Sequence, residues 1–254
     1  DQGRLASGYS HRLVVDNDGR LWAWGQNYDG QLGDGTYVDK EEPIFIMNDA
    51  KFAATGEAHS LAVKSDGSLW AWGKNQEGQI GNGTTDPCLK PIKVLDNVKT
   101  AAAGSSFSLA VKNDGSLWAW GLNQIVGLGD NKQISSFVPV RTMDEVASIA
   151  AANNFCLILK KDGSLWTAGN NNRGQLGIGR NESSDTAEKI MDGVKEISAS
   201  GYHALALKND GSLWSWGWNC YEEIGDGTKE MRFAPVKIME GVKSASAGDD
   251  YGLA

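Results

Sequence analysis

The chain has only three histidines, and they stand in step at His11, His59 and His203. The first two are 48 residues apart, and the third lies three such intervals further on. Regularly spaced imidazoles are a metal-ligand pattern. In the other copies, however, the same slot holds Phe107, Phe155 and Tyr251. Phenylalanine has no lone pair to donate. A planar side chain that fills space accounts for all six occupants, so no metal centre is expected. No further histidine is left over for general-base work.

Other candidate chemistry weakens in the same way. The phrases "GDGT" (Gly33–Thr36 and Gly225–Thr228) and "DNDG" (Asp16–Gly19) resemble calcium loops. Such a loop needs alternating oxygen ligands and a closing bidentate carboxylate. No glutamate stands at the matching distance from Asp16, and the equivalents of Asp34 are Asn82, Asp130, Ile178 and Asp226. Isoleucine cannot ligate, so these read as turn residues. "SDGSLW" is similar to an Asp-box hairpin, but that motif separates its Asp and Gly, which are adjacent here. Glu41-Glu42 and Glu222-Glu223 are neighbours that a strand would point to opposite sides, so they read as solvated loop charges. Cys88, Cys156 and Cys220 fall at three different phases with no Cys-x-x-Cys spacing. Cys156 sits where other copies carry small residues and reads as a buried side chain. No nucleophile elbow, phosphate loop or paired catalytic carboxylates emerge, so no catalytic residue and no cofactor is expected.

The elements that carry these residues repeat. "NDGSLWAWG" (Asn113–Gly121) returns as "SDGSLWAWG" at Ser65 and "NDGSLWSWG" at Asn209, with looser copies at Asn17 and Lys161. The glycine of each Asp-Gly pair falls at 19, 67, 115, 163 and 211, always 48 after the last. A fixed period in this range marks a repeat architecture. Five full repeats are expected at about 1–48, 49–96, 97–144, 145–192 and 193–240, with a partial sixth at 241–254, together one domain over 1–254.

One repeat reads as four short strands. In residues 98–145, "VKTAAAG" is short and small. "FSLAVK" alternates, with Phe107, Leu109 and Val111 on one side. Asn113-Asp114-Gly115 signals a tight hairpin, because positive φ is cheap for these residues. "SLWAWG" sets Leu117 and Ala119 against Trp118 and Trp120, and "FVPVRTM" is a fourth extended run. No stretch shows a 3.6-residue apolar period. The expected fold is therefore all-β, a β-propeller of four-stranded antiparallel blades. The Ala- and Ser-rich first strand of each repeat suits a crowded central shaft. Nine of the ten tryptophans lie in the Leu-Trp-x-Trp phrase. Packing between blades explains them better than a sugar-stacking platform or a light-absorbing cluster. Trp218 breaks the register and is expected to be exposed.

Composition narrows the partners. A net charge of −8 and a pI of about 4.9 oppose nucleic-acid binding, and no run approaches the roughly 18 apolar residues of a membrane helix. The chain opens on Asp1, which suggests a processed or excised piece.

The phrases Gly56–Lys64, Asp66–Gly73 and Asn75–Thr84 resemble the repeat of the regulator of chromosome condensation family, in the wording of its bacterial branch. The resemblance implies a propeller and leaves function open. Members include a chromatin-bound guanine-nucleotide exchange factor, a plant ultraviolet-B photoreceptor and a secreted β-lactamase inhibitor. The exchange factor uses a basic tail and an inserted wedge, which this evenly spaced chain lacks. The photoreceptor carries tryptophans in its Gly-x-x-His loops, which here read "GYSH", "GEAH", "GSSF", "ANNF", "SGYH" and "GDDY". In the photoreceptor and the inhibitor those loops gather on one face and touch protein, which implies that Tyr9, Glu57, Tyr202, Asp249 and Asp250 bind here.

Function should lie where the repeats disagree, because strands share one packing task and loops do not. Besides the Gly-x-x-His pairs, the loop after the second tryptophan varies, with Ile125-Val126 in repeat three and Trp218 to Glu223 in repeat five. So does the connector "YVDKEEP" at Tyr37–Pro43. The expected function is a non-enzymatic protein–protein interaction module of a larger bacterial protein, extracellular or at the cell surface. The alternative is a carbohydrate-binding module stacking sugars on Trp218 and Tyr221, with an enzyme or exchange factor less favoured. Family members usually close with seven blades, so "VKSASAG" and "YGLA" are expected to be two inner strands of a sixth. Further sequence, a capping partner or self-association through an open blade would then cover its face.

Overall fold

The computed structural model describes residues 5–122, 135–248 and 252–253. No helix occurs among them. Five four-stranded antiparallel sheets follow one another along the chain, and a two-stranded sheet comes last. They fall into two compact units, one up to Met143 and one from Asp144 onward.

The first unit holds three blades. Blade 1 is β1 (Leu5–Ser7), β2 (His11–Val15), β3 (Leu21–Gly25) and β4 (Lys40–Met47). Blade 2 is β5 (Ala50–Thr55), β6 (His59–Lys64), β7 (Leu69–Gly73) and β8 (Cys88–Leu95). Blade 3 is β9 (Val98–Ala103), β10 (Phe107–Lys112), β11 (Leu117–Leu122) and β12 (Ser135–Met143). Each sheet keeps chain order, as up-and-down blades must. The small first strands β1, β5 and β9 run close to one another. Alanine there lets backbones approach where larger side chains would collide.

The second unit holds blade 4, with β13 (Val146–Ala151), β14 (Phe155–Lys160), β15 (Leu165–Gly169) and β16 (Ser184–Met191). Blade 5 is β17 (Val194–Ser200), β18 (His203–Lys208), β19 (Leu213–Gly217) and β20 (Arg232–Met239). The expected start of a sixth blade is present as β21 (Ser246–Ala247) paired antiparallel with β22 (Gly252–Leu253). Val242 and Ala247 pack there against Leu205, Leu207 and Leu213.

The alternating middle strands of blades 2 to 5 have no wet face. His59 to Val63 of β6 are all buried. On one side of blade 2, Leu61, Val63 and Leu69 meet Val98, Ala101 and Trp120 of blade 3. On the other, Ala53, Ala62 and Trp72 meet Leu13, Leu21 and Leu32 of blade 1. Alternation here sorts side chains between two neighbours rather than between core and solvent.

The two tryptophans of each phrase do different jobs. Trp72, Trp120 and Trp216, each the second of its pair, are fully buried. Each reaches the preceding blade and donates its Nε1–H to a loop carbonyl: Trp72 to Gln31 at 2.9 Å, Trp120 to Gln79 at 2.8 Å and Trp216 to Gln175 at 3.0 Å. The ring lies so close that a Cβ on Gly33 would sit 2.7 Å from Trp72 Nε1. Gly33 also holds a φ of 82°, so a side chain is excluded twice over. Trp70, Trp118 and Trp214, the first of their pairs, and Trp166, whose phrase carries Ala168 in the second place, are only half-buried. Each donates Nε1–H to a serine hydroxyl and carries a lysine over its ring. The second tryptophan is thus fully enclosed between blades, while the first packs at the margin of the same interblade clusters, Trp70, Trp118 and Trp214 each with part of the ring in water.

The Asp-Gly hairpins also differ from the expected turn. Gly115 has a φ of 88°, but neither Asn113 nor Asp114 is positive. The Gly115 amide donates to the Lys112 carbonyl and the Lys112 amide to the Ser116 carbonyl, both at 2.9 Å. This is a three-residue turn with a glycine bulge, so only the glycine must be left-handed. Asp114 closes it by accepting from the Ser116 amide at 2.8 Å and hydroxyl at 2.6 Å. Those bonds hold the Asp114 carboxyl below its usual range.

Candidate interaction face

Among the described residues, a repeated serine–histidine pair in the core resembles catalytic machinery. His11 Nε2 lies 2.8 Å from Ser60 Oγ, and His59 Nε2 lies 2.9 Å from Ser108 Oγ. Each hydroxyl donates onward at 2.8 Å, Ser60 to the Gln31 carbonyl and Ser108 to the Gln79 carbonyl. The hydroxyl hydrogen is thus committed, and the imidazole must be the donor to Oγ. A nucleophile needs the opposite polarity. All four side chains are fully buried, so no substrate reaches them. Burial, with the nearby Arg12 charge, lowers the His11 pKa to about 4; burial, with the charges of His11 and Lys74, lowers that of His59 to about 3. Both imidazoles are neutral pillars at pH 7. Among the described residues, no three of His, Cys, Asp and Glu gather to hold an ion. Cys156 is buried as expected, and burial pushes its thiol up to about 12.

The variable residues project from one end of each blade, and the backbone there is tied down. The Gly-x-x-His turn closes when the Gly8 amide donates to the His11 carbonyl, and the Gly56 amide to that of His59. The loop after the third strand is bonded to the same turn. Gln26 donates to the Ser10 carbonyl, Lys74 to that of Ala58, and Trp218 to that of Tyr202. A buried asparagine holds the rest of that loop. Asn27 Oδ1 accepts the Leu32 amide at 3.0 Å, and its Nδ2 donates to the carbonyls of Thr36 and Val38 at 3.0 and 3.2 Å. Asn75, Asn171 and Asn219 repeat this. Asp34 and Asp226, the calcium candidates, are spent on the Thr36 and Thr228 amides and on ion pairs with Lys40 and Arg232.

In the first unit this end displays Tyr9, which is 83% exposed, together with Tyr28 and Glu57. In the second it displays Tyr202 and Tyr221, the latter 72% exposed. Trp218 departs from expectation: it is half-buried, because the Arg173 guanidinium lies 3.7 Å from its ring centroid. The same guanidinium is 5.3 Å from the Tyr202 ring. Glu223 departs further. Unlike its exposed neighbour Glu222 it is buried, with Oε2 accepting the Tyr221 amide at 2.8 Å. It stands where Gln31, Gln79 and Gln175 accept the amide two residues before them, so its burial belongs to the loop's architecture. Asp249, Asp250, Ile125 and Val126 lie outside the described residues.

Comparison with known proteins meets this geometry at the level of the whole repeat array. The RCC1-like domain description matches residues 2–254. The chain belongs to the RCC1-like domain family. Among solved structures, human WBSCR16 is 25% identical with a TM-score of 0.84, over 96% of this chain and 69% of that one. Yeast RCC1 (Prp20), solved bound to Kap60, is 23% identical with a TM-score of 0.83, over 98% and 64%. Prp20p from Saccharomyces cerevisiae, reported with its binding to Gsp1p and histones, is 23% identical with a TM-score of 0.83, over 98% and 67%. This RCC1-like chain thus spans about two thirds of the length of these proteins and shares their β-propeller fold.

Sequence reasoning missed two residues of the RCC1-like face. Arg173 stood inside the repeat as one of several variable loop residues, and nothing local shows that it bridges to the next blade. The buried asparagine did leave a signal, since Asn27, Asn75, Asn171 and Asn219 share one phase. Such a residue at the head of a glycine-rich loop marks a side chain that does the hydrogen bonding of a missing strand.

Proposed function

We propose that this domain is a non-enzymatic protein-interaction module that binds through the Gly-x-x-His ends of its blades. The observation that supports this most directly is the pairing of a rigid backbone with unshared side chains. Among the described residues, five turns at that end are each bonded to a neighbouring loop, while the residues displayed differ from blade to blade. Tyrosine, tryptophan and arginine, the types that dominate binding energy at protein interfaces, stand there as Tyr9, Tyr202, Trp218 and Arg173. The relatives agree in kind, because Prp20 binds Kap60, Gsp1p and histones. Asp249 and Asp250 extend the same face in this proposal. The coverage of Trp218 by Arg173 argues against the sugar-stacking alternative.

Site-resolved photo-crosslinking tests the reading. A photoreactive residue at position 57 or 202 should capture a partner, and one at position 18 or 66, in the hairpins at the opposite blade end, should not. Equal capture from both ends, or capture from the hairpins alone, overturns it.

A further inference from the structure

Arg173 is stacked but unpaired. Arg20, Arg180 and Arg232 each meet a carboxylate, at Asp16, Glu188 and Asp226. Arg173 makes ring contacts with Trp218 and Tyr202, and among the described residues its guanidinium makes no ion pair. The Trp218 ring at 3.7 Å covers the guanidinium from one side, and ring contact of this kind uses none of its N–H donors. The plane is also held in place. Trp218 is anchored by its amide bond to the Tyr202 carbonyl at 3.0 Å, and the Arg173 amide donates to Gln175 Oε1 at 2.8 Å. A half-buried cation with a fork of free donors matches an oxyanion that accepts two parallel N–H···O bonds, and the one an unmodified protein partner offers is a carboxylate.

We infer that Tyr202, Arg173 and Trp218 form a receptor for a Glu or Asp side chain in an acidic peptide segment of a protein partner. This rests on the interaction reading above and narrows it for the second unit. The aromatic pair lowers the cost of ordering the long arginine side chain before the partner arrives, and its apolar edges shield the ion pair from water. The equivalent positions in blades 1 and 2 are Asp29, Ala58 and Lys74, which build no such cradle. The site is therefore local to one junction. With a net charge of −8 the domain repels acidic chains at long range. Recognition must come from the short-range fork, and added salt should speed association rather than slow it.

The test uses the intact chain with two fluorescent peptides, hexaglutamate and hexaglutamine, read by anisotropy at about 0.15 M salt. Hexaglutamate should bind and hexaglutamine should not. Arg173→Ala should weaken hexaglutamate binding at least tenfold with an unchanged melting temperature. Arg173→Lys, which keeps the charge but loses the fork, should weaken it several-fold. An oligosaccharide of glucuronate offers the same carboxylate on a sugar and should compete poorly. Wild-type affinity in Arg173→Ala, equal binding of hexaglutamine, or stronger competition by the glucuronate oligosaccharide would each overturn the inference. If crosslinks at position 57 or 202 persist while Arg173→Ala binds hexaglutamate normally, the interaction face stands and this receptor falls.

Discussion

Between blades 1 and 2, His11 reaches across to Ser60, whose hydroxyl passes the bond on to the Gln31 carbonyl. Between blades 4 and 5, the same two positions hold Phe155 and Ala204, packed in an apolar cluster. At both junctions a buried tryptophan, Trp72 or Trp216, donates to the loop carbonyl of the preceding blade. The backbone plan is common and the filling is not. Histidine appears with serine 49 residues on, at His11–Ser60 and His59–Ser108. Phenylalanine appears with alanine, because a buried hydroxyl opposite a ring without a donor or acceptor would lose a partner. At the His11, His59 and Phe155 slots the occupant is thus matched to its opposite number in the next blade. The rims diverge too, with Asp29, Ala58 and Lys74 at one junction and Arg173, Tyr202 and Trp218 at the other. A repeat array can keep one packing scheme and still give each junction its own surface.

The largest expected effect concerns what the junctions share. Trp72→Ala and Trp216→Ala should each cost about 3–5 kcal/mol, as large aromatic deletions do in cores. Trp24→Ala, at a half-exposed position, should cost clearly less. Denaturant midpoints check this, and a Trp216→Ala loss under about 1 kcal/mol would show that the two junctions are not equivalent.

Next comes the polar pair. Ser60→Ala strands the His11 Nε2–H in the core and should cost about 1–3 kcal/mol. Adding His11→Phe recreates the Phe155–Ala204 arrangement and should recover part of that loss. A double-mutant cycle measures the coupling, and strict additivity would break the claim that the slots are matched.

Acid should separate the junctions further. The His11 and His59 pKa values fall to about 4 and about 3 when folded, from 6.5 when not. The unfolded chain therefore takes up protons first. The stability these two residues contribute is complete above about pH 6.5 and is lost as pH falls. Each should cost on the order of 1.4 kcal/mol per pH unit until its folded value is reached. Unfolding at pH 7 and pH 5 should differ markedly in wild type and by clearly less in the His11→Phe, Ser60→Ala variant. An unchanged pH dependence would rule out His11 as its source.

The smallest effect lies in the links between blades. Asp49, Asn97 and Glu145 hold φ values of 61°, 62° and 60°, and their counterparts at the two later links, Gly193 and Gly241, hold 72° and 73°. Asp49→Gly should relieve the left-handed strain and stabilise by about 0.5–1 kcal/mol. A loss of stability on melting would mean that the Asp49 side chain repays its backbone.

Much of this was legible in the residues before any fold was known. A period of 48, Asp-Gly turns and alternating apolar runs specify four hairpin-linked strands per repeat, because turn chemistry and side-chain alternation are local properties. The His/Phe slot was legible as a planar core position for the same reason. What side chains meet across blades was not. That Trp72, Trp120 and Trp216 are fully enclosed, that His11 finds Ser60 and that Arg173 covers Trp218 all depend on contacts between residues dozens of positions apart. Their spacing is set by how two sheets stack. The sequence by itself determined the strands, the turns and their order; the tertiary structure decided which half of each repeated pair faces a neighbour and which side chains share a surface. The physical reason is range: backbone preference acts over a few residues, whereas burial, stacking and buried hydrogen bonds exist only once the next blade is in place.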